Sequence, residues 1–195
     1  MAKKLPVVLN EDEIVALLKQ PSQRYITGHR NFMIMSLMLN LGLRLSEAVG
    51  LKWVDVDFLA EVLMVREGKG KKDRTLYIKD KNWRGQDDKY NLEIWRGRLI
   101  EQFDEKLPKV VFPTLKGTPL SPRYVQQMVT RYALKAGIQK HVTPHTLRHT
   151  FATDLYRKIK DPVTVKNALG HSSITTTMVY VHLVGSDVEK ALSGC

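Results

Sequence analysis

The chain is almost free of sulfur-based options. Its 195 residues include one cysteine, Cys195, the last residue. No disulfide can form within the chain, and no cysteine-based zinc site can be assembled. This usage fits a reducing compartment. Long apolar runs are also lacking. The most apolar stretch, Phe32 to Leu43, is interrupted by Asn40 and is too short to span a bilayer. The N-terminus, Met1 to Pro6, is basic but has no apolar core of the signal-peptide kind. A soluble, cytoplasmic protein with no membrane partner is therefore expected. Acidic residues are in deficit: 20 Asp and Glu stand against 31 Lys and Arg, a formal net charge of +11. That balance favours polyanions, with nucleic acid ahead of lipid headgroups. There is no dense acidic cluster for two-metal nuclease chemistry. Gly68-Lys69-Gly70-Lys71 lacks the spacing of a nucleotide-binding phosphate loop.

What is present suits one folded domain. Hydrophobic residues make up 43% of the chain, enough at this length for a core without metal or disulfide staples. Asn10 and Glu13 form a capping box before a helix with Ile14, Leu17 and Leu18 on one face. A second helix is expected from about Gly28 to Leu41, apolar around most of its circumference, and Gly42 ends it. Ser46 can cap a short helix through Gly50. Runs 62–65 and 75–78 flank a glycine-containing turn and read as a hairpin. Residues 79–91 read as a loop, 92–103 as a helix, and 110–112 as a short buried segment. Further helices start at Ser121-Pro122, at Pro144 and at Asp161-Pro162, the last ending at Gly170. A final helix spans Thr175 to Val184, followed by a tail. The expected class is α+β, mainly α-helical with a small antiparallel β-sheet, in a single domain over 1–195 with a core of about 9–184.

Four constellations can carry chemistry. Arg44 follows Gly42 at a helix start, between apolar neighbours. It suits an anion site, and it equally suits a pair with Glu47 one turn on. Lys69, Lys71 and Lys72 crowd the hairpin tip beside Gly68 and Gly70, as a DNA-touching loop or as an ordinary solvated turn. His145 and Arg148 share a helix face. An arginine fork and an imidazole suit a phosphodiester, since one holds two oxygens and the other moves a proton near neutral pH. His145 and His149 also stand at metal-pair spacing, but Thr146 occupies the place where a zinc-protease helix has Glu. Gly170-His171-Ser172-Ser173 places a histidine at an exposed turn, with Tyr180 beyond it. A tyrosine alone is more often a packed aromatic with a wet hydroxyl than a nucleophile.

In this order, Gly42-Leu43-Arg44-Leu45-Ser46-Glu47, Gly68-Lys69-Gly70, His145-Thr146-Leu147-Arg148-His149, Leu169-Gly170-His171-Ser172-Ser173 and Tyr180-Val181-His182 resemble the motifs of the tyrosine recombinase (phage integrase) family. The resemblance runs from about Leu9 to about Leu192. It implies that Tyr180 attacks a DNA phosphate to give a 3′-phosphotyrosyl link, that Arg44 and Arg148 clamp the non-bridging oxygens, and that Lys69 protonates the leaving 5′-oxygen. It further implies that His145 is the general base toward the tyrosine, that His171 assists at the phosphate, and that Glu47 supports the site. Lys71, Lys72, Arg74 and His149 are expected to contact DNA, and Lys71 or Lys72 can replace Lys69 as the acid. No cofactor and no metal are expected. The partners implied are double-stranded DNA and further copies of the chain, as a tetramer on DNA. The family's N-terminal core-binding domain is expected to be absent. A DNA-binding protein with an inactive remnant site, and strand relaxation of the type IB topoisomerase kind, are the alternatives.

Overall fold

The computed structural model describes residues 5–66, 73–78 and 91–193. At its centre lies α2 (Ile26–Leu41), whose residues 31–39 are all buried. The circumferential apolarity read from the sequence is thus realised as a helix packed on every side. Helix α1 (Glu11–Leu18) precedes it. Asn10 Oδ1 accepts from the Glu13 N–H and Glu13 Oε2 accepts from the Asn10 N–H, both at 2.8 Å. Helix α2 ends at Gly42 in the left-handed conformation, φ +63°. Glycine is required there twice over: a Cβ on Gly42 would also come within 2.3 Å of the Phe151 ring.

Helix α3 (Leu45–Gly50) starts two residues earlier than expected, with Arg44 and not Ser46 at its N-cap. Glu47, not Ser46, supplies its N-terminal acceptor, taking the Arg44 N–H at 2.7 Å. A carboxylate reaching back across the first turn also suits the positive end of the helix dipole. The sheet is three-stranded and antiparallel, in the order β1 (Val56–Asp57), β2 (Val62–Val65), β3 (Arg74–Tyr77). Leu63 pairs with Leu76 and Val65 with Arg74. Leu63, Val65 and Leu76 point inward, so the alternation of the strands also brings Arg74 to the inner face. The hairpin tip with Lys69, Lys71 and Lys72, and the expected loop 79–91 up to Tyr90, lie outside the described residues.

Helix α4 (Leu92–Gln102) is capped by Asn91, whose side chain accepts from the Ile94 N–H at 2.9 Å. Helix α5 (Pro122–Lys135) is capped by Ser121. The buried segment 110–112 runs beside α4, and Val111 O accepts from the indole N–H of Trp95. Helix α6 (Pro144–Ile159) packs along α2, and its Thr150 hydroxyl oxygen accepts from the Leu9 N–H, pinning the N-terminal segment. Helix α7 (Pro162–Leu169) is capped by Asp161 and ends at Gly170, again left-handed. A 3₁₀ turn (Ile174–Thr176) leads into α8 (Met178–Ser193). This last helix runs well past Val184, where a tail was expected. The stretch after Val184 contains no proline, and Glu189-Lys190-Ala191-Leu192 are strong helix formers that carry it on. The architecture is the expected class, mainly helical with one small antiparallel sheet. Among the described residues no helix is long and apolar enough to cross a membrane.

The core has two parts. The large one joins α1 to α6 and the sheet. The small one consists of Ala152, Val165, Leu169 and Tyr180, flanked by Phe151, Leu155, Tyr156 and Val179.

Candidate active site

Helix ends build the site. Gly42 terminates α2 and turns the chain so that Arg44 enters the cleft between α3, α6 and α7. Arg148, on the second turn of α6, donates from Nη1 to Gly42 O and from Nη2 to Leu169 O, both at 2.6 Å. Arg44 donates from Nη2 to Gly170 O at 2.7 Å. The last carbonyls of a helix have no intrahelical donor and carry the negative end of its dipole. The C-termini of α2 and α7 are therefore natural seats for these two cations.

Glu47 joins three arginines. It accepts from Arg44 Nη1 at 2.7 Å, from Arg74 Nη1 at 2.9 Å and from Arg74 Nη2 at 2.7 Å, and it lies 3.8 Å from Arg148 Nη1. Burial opposes the charge on its carboxyl, but the hydrogen bonds and positive charges of Arg74 and Arg44 prevail and bring it down to about 2. Arg148 is lowered to about 10, first by burial and then by the charge of Arg44, and is still protonated at neutral pH.

The imidazoles and the tyrosine form the other wall. His171 Nδ1 meets the hydroxyl of the buried Thr177 at 3.1 Å. His149 Nδ1 lies 3.0 Å from Tyr180 Oη. Burial, followed by nearby positive charge, lowers both histidines to about 4, so both are neutral at pH 7. Burial pushes the Tyr180 phenol above its ordinary value, with the Arg148 charge opposing. His145 is exposed, its ring centroid 6.5 Å from that of His149. Arg44, Arg148, His145, His149, His171 and Tyr180 all line one open cleft of about 440 Å³.

The sequence therefore placed Arg44, His145, Arg148, His171 and Tyr180 in a common site, and the structure brings them together, with Glu47 behind. Three assignments change. The imidazole at the tyrosine hydroxyl is His149, not His145: one turn of α6 separates them, and only the later one lies beneath α8. Arg74 does not present itself to a DNA surface; it is bound bidentately by Glu47 and donates from Nε to Ala168 O at 3.1 Å. His149 likewise is turned to Tyr180. Tyr180 itself is 1% exposed, its ring packed in the small core while its hydroxyl reaches the cleft wall. Lys69, Lys71 and Lys72 fall outside the described residues. No local pattern marks Thr177, one of three consecutive threonines, or the backbone carbonyls of Gly42, Leu169 and Gly170 as part of the site.

This geometry matches known proteins along nearly the full chain. The model of the phage integrase family covers residues 7–186. The chain belongs to the phage integrase family. Among curated members, the tyrosine recombinase XerD of Staphylococcus aureus is 36% identical over 191 residues, an alignment covering 96% of this chain and 62% of that one. The chain thus spans about three fifths of the length of this relative. Among solved structures, the XerA recombinase superposes with a TM-score of 0.74 at 30% identity, covering 98% of this chain and 66% of that one. The XerH site-specific recombinase, in a post-cleavage complex with palindromic difH substrate, gives 0.75 at 27% identity, covering 97% of this chain and 53% of that one.

Proposed function

We propose that this chain cleaves and rejoins DNA strands through a covalent 3′-phosphotyrosyl bond at Tyr180, the chemistry of a site-specific recombinase. The observation that carries the reading is the cleft that holds the Tyr180 hydroxyl together with Arg44 and Arg148. A phenol whose ordinary pKa is about 10 attacks at neutral pH only with help from a base and a cationic pocket. Arg44 and Arg148 supply the pocket for the non-bridging phosphate oxygens, where charge grows in the transition state. His171 donates to the phosphate or assists proton transfer there, and His145, exposed at the mouth, contacts it as it enters. Glu47 and Arg74 position Arg44 and the base of the hairpin, whose Lys69 is the acid for the 5′-oxygen. Lys71 and Lys72 contact the DNA backbone. The phosphodiester energy is kept in the phosphotyrosyl bond, so rejoining requires no nucleotide triphosphate and no cofactor. Membership in the family with XerD, and the likeness to XerH captured on its substrate, support this reading. Double-stranded DNA is the proposed partner, and a tetramer on DNA the proposed assembly.

The ring of Tyr180 is buried in the small core, so attack requires α8 to shift or the side chain to rotate out toward the cleft. The test is a library of nicked duplexes with randomised sequence flanking the nick. Protein–DNA adducts surviving denaturation are expected with the wild-type chain and absent with Tyr180→Phe. If no duplex yields an adduct, or if Tyr180→Phe forms it equally, the proposal is overturned.

A further inference from the structure

Thr177 has no part in the chemistry proposed above, yet its side chain meets His171. We infer that Thr177 is a positioning residue: its buried hydroxyl donates to Nδ1 of His171 and so turns the Nε2–H of that ring toward a phosphate oxygen in the cleft. The inference rests on the phosphodiester reading of the cleft. It concerns a standing hydrogen bond, through which no proton moves.

Three observations converge on it. The first is the contact itself. Thr177 is 0% exposed, and its Oγ1 lies 3.1 Å from Nδ1 of His171, the one partner the hydroxyl has among the described residues. A hydroxyl can donate or accept. If Nδ1 carried the hydrogen and Thr177 accepted it, the hydroxyl's own hydrogen would be buried without an acceptor, at the cost of a lost hydrogen bond. Donation from Thr177 satisfies both groups.

The second is the state of the ring. His171 is neutral at pH 7, because burial, and after it the charges of Arg148 and Arg44, disfavour the imidazolium. A neutral imidazole carries one N–H, and the bond made by one nitrogen decides which of the two bears it. With Nδ1 accepting, the hydrogen sits on Nε2. A phosphate oxygen is an acceptor only, so this tautomer offers it a donor, and the other would face it with a lone pair.

The third is the anchoring. The His171 N–H donates to Lys166 O at 3.0 Å, at the end of α7, and the Thr177 N–H donates to Ile174 O at 2.8 Å, closing the 3₁₀ turn. The imidazole is thus held from behind while it lines the cleft with Arg44 and Arg148. Thr177 O also accepts the Tyr180 N–H at 3.0 Å. One residue therefore ties the phosphate donor to the first turn of the helix that carries the nucleophile.

Two measurements test the inference. In the ¹⁵N-labelled full chain at pH 7, long-range ¹H–¹⁵N spectra should show His171 with its hydrogen on Nε2 and a bare Nδ1. Thr177→Val fills the same space without the hydroxyl and should give a mixture of both tautomers, whereas Thr177→Ser should keep the wild-type pattern. A hydrogen on Nδ1 in the wild-type chain, or a valine variant with the wild-type pattern, overturns the inference whether or not the chain acts on DNA. On the nicked-duplex library, Thr177→Val should slow adduct formation about tenfold, the factor that one neutral hydrogen bond carries, with unchanged DNA affinity. Thr177→Ser should stay within about threefold of wild type. His171→Ala should slow the reaction, and adding Thr177→Val to it should slow it no further, since the hydroxyl acts through the imidazole. Additive losses would mark a threonine that only supports the fold, and they overturn the inference. Thr177→Ala provides the same readings should the valine variant fold poorly. A wild-type chain that forms no adduct counts against the proposed function, and the spectra still decide the role of Thr177.

Discussion

The two walls of the cleft are built in opposite ways. On the arginine wall every functional group is tied down more than once: Arg148 to two helix C-termini, Arg44 to a third carbonyl and to Glu47, and Glu47 to Arg74 from the sheet. The ties from α2, α3 and β3 come from elements rooted in the large core, while the Leu169 and Gly170 carbonyls belong to the end of α7, which packs in the small one. On the tyrosine wall, Tyr180 rests in a small satellite core and its hydroxyl touches one imidazole. The wall that must hold developing charge is preorganised, and the wall that must deliver a nucleophile is lightly held. Division of this kind is expected where positioned dipoles lower the barrier and a separate element supplies the motion.

Substitutions can break the comparison. The largest effect is expected for Tyr180→Phe, which should abolish adduct formation while costing only about 1 kcal/mol in urea unfolding, the value of one hydrogen bond. A loss of several kcal/mol would mean that the tyrosine wall is as structural as the other. Next comes Glu47→Ala. It leaves Arg44, Arg74 and Arg148 without their shared carboxylate, and removing one partner of a buried ion pair costs about 3–5 kcal/mol; calorimetry should record a large drop in Tm. Gly42→Ala should cost about 1–3 kcal/mol, from a left-handed residue and a methyl driven into the Phe151 ring. Since Gly42 O also seats Arg148, its adduct rate should fall more than its stability alone explains.

The smallest effect sharpens the comparison by pH. His149 and His171, on the tyrosine wall, fall from 6.5 to about 4 on folding. Between those values the unfolded chain binds more protons, so stability rises with pH across about 4 to 6.5 and levels above it. Glu47, on the arginine wall, falls from 4.5 to about 2, so its contribution is complete above 4.5 and is lost as pH drops through 2. Urea midpoints measured from pH 3 to 8 should show the histidine window first on acidification. His149→Asn should flatten the slope between 4 and 6.5 and leave the steeper fall below it.

Much of the fold was legible because its punctuation is local. Asn10 with Glu13, Pro122, Pro144, Asp161-Pro162, and the glycines at 42 and 170 mark helix ends through backbone chemistry that needs no distant partner. Strand β1, only Val56–Asp57, is too short to show a period and exists by pairing with β2. The expected end of α8 at Val184 falls just before Gly185, yet the helix runs through it, since glycine inside a helix costs only about 1 kcal/mol relative to alanine. In the site, Arg44, His145, Arg148, His171 and Tyr180 were found by their order along the chain. Arg74 and His149 were read as DNA contacts without sight of their partners in the structure, Glu47 and Tyr180, which are met only through space. Sequence spacing shows that Arg74 is basic and near a hairpin tip; it does not show that strand register turns it inward.

The carbonyls of Gly42, Leu169 and Gly170 have a consequence for the field in the cleft. Oxygen dipoles satisfy the donor geometry of two guanidinium groups but neutralise neither, whereas Glu47 is one anion among three cations. The groove therefore keeps an uncancelled positive potential while each terminal nitrogen of Arg148 has a carbonyl acceptor. An approaching polyanion meets attraction that is already built into the fold, and at Arg148 a phosphate competes with neutral carbonyl lone pairs and not with a carboxylate hydrogen bond.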